Sequence, residues 1–252
     1  MADTEGKARQ GMRAISVSRE YGSGGGEVAT RLAGRLGWKL INHEVVVEVA
    51  RTLGVTEEEA EVYDEHADNL VSKVLYSLTV LQPAMSTAMS ASLTTDSRAY
   101  DQARRRVVQD AYNTGQVVIV GRGSQVLLAD KRDVLHVRIV APLEKRIAYV
   151  MQREGLDHAA AQARIQIKDR DRAHFLSVEH HQQVNDPQLY DVVVNTSVLE
   201  LDSVVDLLLL ALERKGARLS VPAEALGPAT GMGRYPEPPG SFPPAQEAGS
   251  KG

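Results

Sequence analysis

Chemistry in this sequence is concentrated in one short stretch, Ser18-Arg19-Glu20-Tyr21-Gly22-Ser23-Gly24-Gly25-Gly26-Glu27. Four glycines in the five residues 22–26 let the backbone take positive φ and approach a ligand with no Cβ in between. Such a turn between a strand and a helix N-terminus offers N–H groups and a helix dipole to phosphate oxygens. The dinucleotide pattern G-x-G-x-x-G would need glycine at position 27 and an acid after the second strand, where the sequence has Glu27 and Asn42. The phosphate-loop pattern G-x-x-x-x-G-K-[ST], laid on residues 20–27, keeps Gly25 but puts Gly26 at the lysine and Glu27 at the hydroxyl. Gly22, Ser23, Gly24, Gly25, Gly26 and Glu27 are thus expected to line a phosphate site that lacks its usual cation. Arg19 is the nearest replacement, and two arrangements stay open for it. Its side chain folds back toward the phosphates, or it holds Glu27 in an ion pair.

Other candidate groups are scattered. Arg122 follows the apolar run Val117-Val118-Ile119-Val120-Gly121, at the strand end where open α/β sheets bind ligands. Its planar fork suits phosphate as well as carboxylate. Lys168-Asp169-Arg170-Asp171-Arg172 alternates charge along a helical pattern, as a solvated face would. His174, His180 and His181 do not share one helical face, so no metal site is expected from them. His43-Glu44 is half of a zinc-protease motif, but Val47 stands at the second histidine. Ser23 and Ser124 have no recognisable histidine and carboxylate pattern for acyl transfer.

The elements that must position these groups alternate in type. Strands are expected over 14–18, 38–41, 117–121, 134–140 and 191–195. Helical patterns fall at about 97–114, 142–153, 157–174 and 200–214, and Val28, Leu32 and Leu36 mark another that stops at Gly37. Pro142 suits a helix's first turn. The continuous apolar run at 117–120 implies a strand buried on both faces. The fold class is α/β, with a parallel sheet and crossovers on both sides. Two stretches break the rhythm: an acidic run over 57–68, and a leucine-rich stripe over 70–81 followed by a Ser/Thr/Ala/Met stretch to 95. A solvated helix face is expected for the first and core packing for the second, with a mobile flap or a partner-binding face as the alternative for the stripe.

The whole chain has 252 residues, 43% of them apolar and 25% charged, so it is globular in class. A formal net charge of −4 lacks the basic excess of a general nucleic-acid binder. With no cysteine, disulfides, thiolate metal sites and cysteine nucleophiles are excluded. No apolar run backs the first residues as in a signal peptide, and residues 74–95 hold too many Ser and Thr for a bilayer span. A cytoplasmic protein without a membrane partner is expected. Residues 1–12 read as a flexible start, 13–215 as the folded body, and 216–252 as a disordered tail. That tail holds seven of the ten prolines.

Residues 15–36, I-S-V-S-R-E-Y-G-S-G-G-G-E-V-A-T-R-L-A-G-R-L, resemble the opening of the cytidylate kinase-like family. The resemblance continues at Val118-Ile119-Val120-Gly121-Arg122-Gly123 and at Val137-Arg138-Ile139-Val140-Ala141-Pro142-Leu143-Glu144-Lys145-Arg146. It recurs at Arg153-Glu154-Gly155, at residues 168–172, at Asp186-Pro187-Gln188-Leu189-Tyr190-Asp191 and at Val194-Asn195-Thr196-Ser197. It implies a nucleoside monophosphate kinase fold, a three-layer sandwich with a five-stranded parallel core sheet and a helical lid. It also implies phosphoryl transfer from ATP, with Mg2+, to a nucleotide such as CMP or dCMP. Arg122 then serves the acceptor, although Gly123 stands where the family often has aspartate, and Arg170 and Arg172 resemble the lid arginines on the donor phosphates. Two alternatives remain beside this: a nucleotide-binding regulatory protein with weak catalysis, and a kinase for another small phosphate acceptor.

Overall fold

Strand and helix alternate from Ala14 onward over the described residues, 11–42 and 97–228, of a computed structural model. β1 (Ala14–Arg19) leads through the glycine-rich loop into α1 (Gly25–Leu36), and β2 (Lys39–Ile41) follows. After α2 (Ser97–Thr114) come β3 (Val117–Val120), the single turn α3 (Ser124–Leu127) and β4 (Val134–Val140). Then follow α4 (Leu143–Glu154), the long α5 (His158–His180), β5 (Val192–Asn195) and α6 (Leu201–Gly216). Every strand pairing is parallel, and the order is β2-β3-β1-β4-β5. The expected α/β class and five-stranded parallel sheet are what forms. His43-Glu44, the acidic run and the leucine-rich stripe lie outside the described residues.

Side-chain alternation divides the sheet into two faces. Ile15, Val17, Val118, Val120, Leu135, Val137 and Ile139 meet α1 and α6 in the larger core. Ala14, Val117, Ile119 and Val134 meet α2 and Leu128 on the other side. Helix α1 shows why its sequence folds so. Val28 and Leu32, four apart, are fully buried, each contributing about 1.5–3 kcal/mol. Gly37 then takes φ 66° and donates its N–H to the carbonyls of Ala33 and Gly34, which ends the helix.

Most element boundaries shift by a residue or two from the sequence reading, and three shifts have a clear local reason. The second strand starts at Lys39 because the Trp38 N–H is used by the Ala33 carbonyl at 2.9 Å. Pro142 is the N-cap of α4, just outside its first turn. Helix α5 runs on to His180 because Leu176 is buried and prolongs the apolar contact. After α6, Leu219 still packs on the larger core, and Arg132 donates to the Arg218 carbonyl at 2.9 Å.

Candidate functional site

Arg19 closes β1 and the loop 20–24 turns the chain into α1. Gly22 and Gly24 take φ 78° and 76°, the left-handed region that favours glycine. A Cβ on Gly22 would stand 2.9 Å from the Arg146 carbonyl oxygen, and one on Gly25 would stand 2.6 Å from Arg19 Cβ. Gly26 differs: a Cβ there would meet nothing within 4 Å. Ser23 is buried, its hydroxyl donating to the Glu20 carbonyl at 2.9 Å, while Thr196 Oγ1 donates to the Ser23 carbonyl at 2.8 Å. The N-cap Gly24 has no side chain to cap the helix, so the N–H groups of the first turn of α1 are left to water or to an anion.

Around this loop α4 and α5 supply a web of charge. Arg146 of α4 is 9% exposed, donates to the Tyr21 carbonyl at 3.2 Å and pairs with Asp169 of α5. Its Nε lies 3.6 Å from Glu20 Oε2, which accepts from the Ala141 N–H at 3.0 Å. Asp169 Oδ1 also accepts from the Tyr21 N–H at 2.8 Å. Arg172 donates to the Arg19 carbonyl at 3.2 Å, with its guanidinium 5.4 Å from the Tyr21 ring centre. Tyr21 donates its hydroxyl to Glu154 at 2.7 Å; burial first, then that carboxylate, pushes its pKa up to about 12. Glu27, in the first turn of α1, is engaged by Arg153 and by the Tyr149 hydroxyl.

At the end of β3 the backbone does something unusual. Gly121, Arg122 and Gly123 all take left-handed φ, at 75°, 60° and 65°. For an arginine that conformation is uncommon, and such outliers concentrate at functional sites. Ser124 fastens the turn from below, donating to the Gly121 carbonyl at 2.8 Å and bonding Ser16 Oγ at 2.7 Å. His136, in register with Ser16, holds the other end of α3 by donating Nε2–H to the Leu128 carbonyl at 3.2 Å. Burial lowers the pKa of His136, against the opposing pull of the Asp191 carboxylate. Two residues along β4 from His136, the buried Arg138 donates to Ser18 at 3.1 Å and to Asn185 at 2.8 Å. Loop, turn and Arg138 share the carboxyl edge of the sheet.

A glycine loop ends β1 beside an arginine turn on the neighbouring β3, and residues 14–198 match the cytidylate kinase-like family. The chain belongs to that family. Among solved structures, an uncharacterized protein from Eubacterium ventriosum has a TM-score of 0.58 at 19% identity, covering 80% of this chain and 99% of its own. That likeness shows a shared fold. A shikimate kinase from Acinetobacter baumannii, in complex with shikimate, has a TM-score of 0.45 at 14% identity, covering 81% of this chain and 95% of its own. A uronate isomerase from Corynebacterium glutamicum is 30% identical over 128 residues, 51% of this chain. The match covers 24% of the isomerase, so the chain spans about a quarter of that relative's length.

In this cytidylate kinase-like chain the expected site residues are unequally placed. Gly22 to Glu27 form the loop and the start of α1, and Arg172 is fastened to the loop through the Arg19 carbonyl. Arg170 is exposed, and no described hydrogen bond or ion pair joins it to the loop. Arg122 stands on its strained turn at the end of β3. Sequence reasoning missed Arg146 and Asp169, which carry most of the loop's support. Asp169 sits within an alternating charge run that reads as a solvated face, and Arg146 is the one buried charged residue of its helix. A signal existed for Arg146: it lies on the stripe with Ile147 and Val150 that α4 buries.

Proposed function

We propose that this protein transfers a phosphoryl group from ATP to a nucleoside monophosphate, with CMP or dCMP as acceptor. The observation that carries the reading is the pairing of the glycine loop on β1 with the Gly121-Arg122-Gly123 turn on adjacent β3. Phosphoryl transfer asks for positioning and positive charge more than covalent chemistry, and both lie at this edge. Loop amides from Gly22 to Gly26 cradle the donor phosphates, and Arg122 binds the acceptor phosphate. Arg172 and Arg170 clamp the donor when α5 and the nucleotide come together.

A triphosphate would use the uncapped N–H groups of the first turn of α1, while Gly22, Gly24 and Gly25 let the loop pack closely on Arg146, Leu201 and Arg19. Mg2+, which neutralises charge on the transferred group, would arrive with the nucleotide and be held by its phosphate oxygens and water. The nearby carboxylates Glu20, Glu27 and Asp169 are each engaged by an arginine. No described helix is long and apolar enough to cross a membrane, and a cytoplasmic location suits the nucleotide substrates. Residues 220–252 take no part in this reading. Truncation after Leu219 should leave nucleotide affinity unchanged, and a loss on titration would refute that.

Coupled release of ADP over CMP, dCMP, UMP and AMP tests the proposal. Turnover highest with CMP or dCMP supports it; turnover only with another phosphate acceptor would redirect it. The absence of lysine from the loop favours a second reading, a nucleotide-binding regulatory protein. ATP binding without turnover on any acceptor would select that reading.

A further inference from the structure

We propose that Arg19 occupies, in space, the place of the missing phosphate-loop lysine, and that Gly25 rather than Gly26 marks the position that lysine would hold. The inference rests on the ATP-binding reading above and says which residue supplies its charge. Helix α1 begins at Gly25, with Gly24 as a left-handed N-cap. Setting the motif one residue earlier, on 19–26, places Arg19 at the first glycine, Gly24 at the second, Gly25 at the lysine and Gly26 at the hydroxyl.

Sterics decide between the two registers. Nothing lies within 4 Å of a Cβ on Gly26, and its φ is ordinary, so a side chain there is tolerated and glycine is not required. A Cβ on Gly25 would stand 2.6 Å from Arg19 Cβ and 3.1 Å from Arg19 Cγ. An arginine at 19 and a lysine at 25 therefore exclude each other. Further along, the Arg19 guanidinium fills the space a Cβ on Gly121 would need. The side chain thus leaves the end of β1, crosses Gly25 and lays its charge beside the Gly121-Arg122-Gly123 turn. Glycines at 25 and 121 clear the two sides of its path.

That path runs from the donor loop to the acceptor turn, where charge develops on the transferred group. A loop lysine reaches the β- and γ-phosphates from the loop itself. Arg19 reaches the same region from the opposite flank of the loop, with a planar fork that stays protonated throughout the working pH range. Its backbone is fixed by Arg172, which donates to the Arg19 carbonyl at 3.2 Å. Glu27 does not need Arg19 for neutralisation, because Arg153 and the Tyr149 hydroxyl engage it.

Calorimetric titration with Mg-ATP, alongside thermal melting of each variant, tests the assignment. Arg19→Met keeps the stem over Gly25 and removes only the charge. It should weaken ATP binding about 10- to 100-fold, the worth of a charge-assisted hydrogen bond, beyond whatever its melting curve shows to be lost stability. The paired exchange Arg19→Gly with Gly25→Lys should recover most of the lost affinity. Adding Gly26→Lys to Arg19→Met should recover none. Unchanged affinity in Arg19→Met would overturn the proposal while leaving the kinase reading standing. Recovery through Gly26→Lys would overturn the register. If the paired exchange fails to fold, Arg19→Lys decides: it must bind ATP more tightly than Arg19→Met, and equality refutes a role for the charge. Absence of ATP binding in the unmodified chain would instead remove the functional reading itself.

Discussion

At the end of β1 the loop is fastened by charge: Arg146, Asp169, Glu20 and Arg172 all reach its backbone or its neighbours. At the end of β3 the turn is fastened by small neutral groups beneath it, Ser124, Ser16 and His136. The first region spends glycine on every left-handed position, Gly22 and Gly24, whereas the second places Arg122 at one. The difference suits the roles proposed for the two regions. A loop that binds phosphate through its amides works best when its backbone is rigid before the ligand arrives. A turn that binds through one long side chain tolerates, and here displays, local backbone strain. The β1 loop is preorganised by partners in α4 and α5, and the β3 turn by the layer under the sheet.

The largest expected effect breaks the first region. Arg146 is 9% exposed and meets Asp169, Glu20 and the Tyr21 carbonyl. Arg146→Met removes the closest cation from Asp169, which is 28% exposed and keeps the Tyr21 N–H and Arg172 at 3.8 Å, and should destabilise the fold by about 1.5–3 kcal/mol. Urea denaturation measures this, and a loss below about 1 kcal/mol would show that the web is solvated and weak. Asp169→Asn keeps the Tyr21 N–H acceptor but removes the charge, so its cost should be smaller. The contrast between the two variants separates ion pairing from hydrogen bonding.

The second region should answer differently. Arg122→Ala and Arg122→Gly both remove the guanidinium, and both should weaken binding of the nucleoside monophosphate. Only glycine relieves φ 60°, so Arg122→Gly should be more stable than Arg122→Ala by about 1 kcal/mol. Equal stabilities would mean the turn holds no strain. A third test targets the layer below. Buried His136 keeps Nε2–H on the Leu128 carbonyl, and its Nδ1 has no acceptor among the described residues for a second proton. Its folded pKa is therefore lowered, despite the Asp191 carboxylate. The unfolded chain takes that proton near pH 6.5, so the stability contributed is complete above about pH 6.5 and is lost as pH falls from there toward the folded pKa. Denaturation midpoints should fall between pH 7.5 and 5.5, and His136→Gln should flatten that slope.

The sheet was legible because its signal is local. The short, β-branched run Val117-Val118-Ile119-Val120 favours a buried strand over a helix, and Val28, Leu32 and Gly37 mark α1 from within one element. The loop was legible for the same reason, as glycine density is itself the message. The register of that loop was not. Whether Gly25 or Gly26 stands for the lysine depends on where Arg19 lies, and sequence spacing carries no such distance. Asp169 is 148 residues from the Tyr21 N–H that it accepts, so no local pattern announces the contact. The unequal fates of Arg170 and Arg172 turn on helix phase: two residues apart, they face different ways, one to solvent and one to the loop.

The smallest expected effect sharpens the contrast inside the β1 region itself. Glu27 and Arg153 form an ion pair whose side chains are 24% and 48% exposed, so its arginine is far more solvated than Arg146, 11% exposed in its pair with Asp169. An exposed pair is worth about 0–1 kcal/mol, and an acid in the first helical turn adds only a few tenths through the helix dipole. Glu27→Gln keeps the acceptor for the Tyr149 hydroxyl and should therefore cost less than about 1 kcal/mol of stability. Its effect on ATP has the opposite sign. Glu27 places a negative charge in the first turn of α1, directly after the proposed phosphate cradle, and removing it also takes the carboxylate away from Arg153. Screened by water, that change is worth about 0.5–1 kcal/mol, which is roughly a two- to fivefold gain in affinity. Titration of Glu27→Gln with Mg-ATP reads it directly. A weaker complex would mean that Glu27 supports the nucleotide, and that the first turn of α1, like Arg146, belongs to the framework that holds the loop.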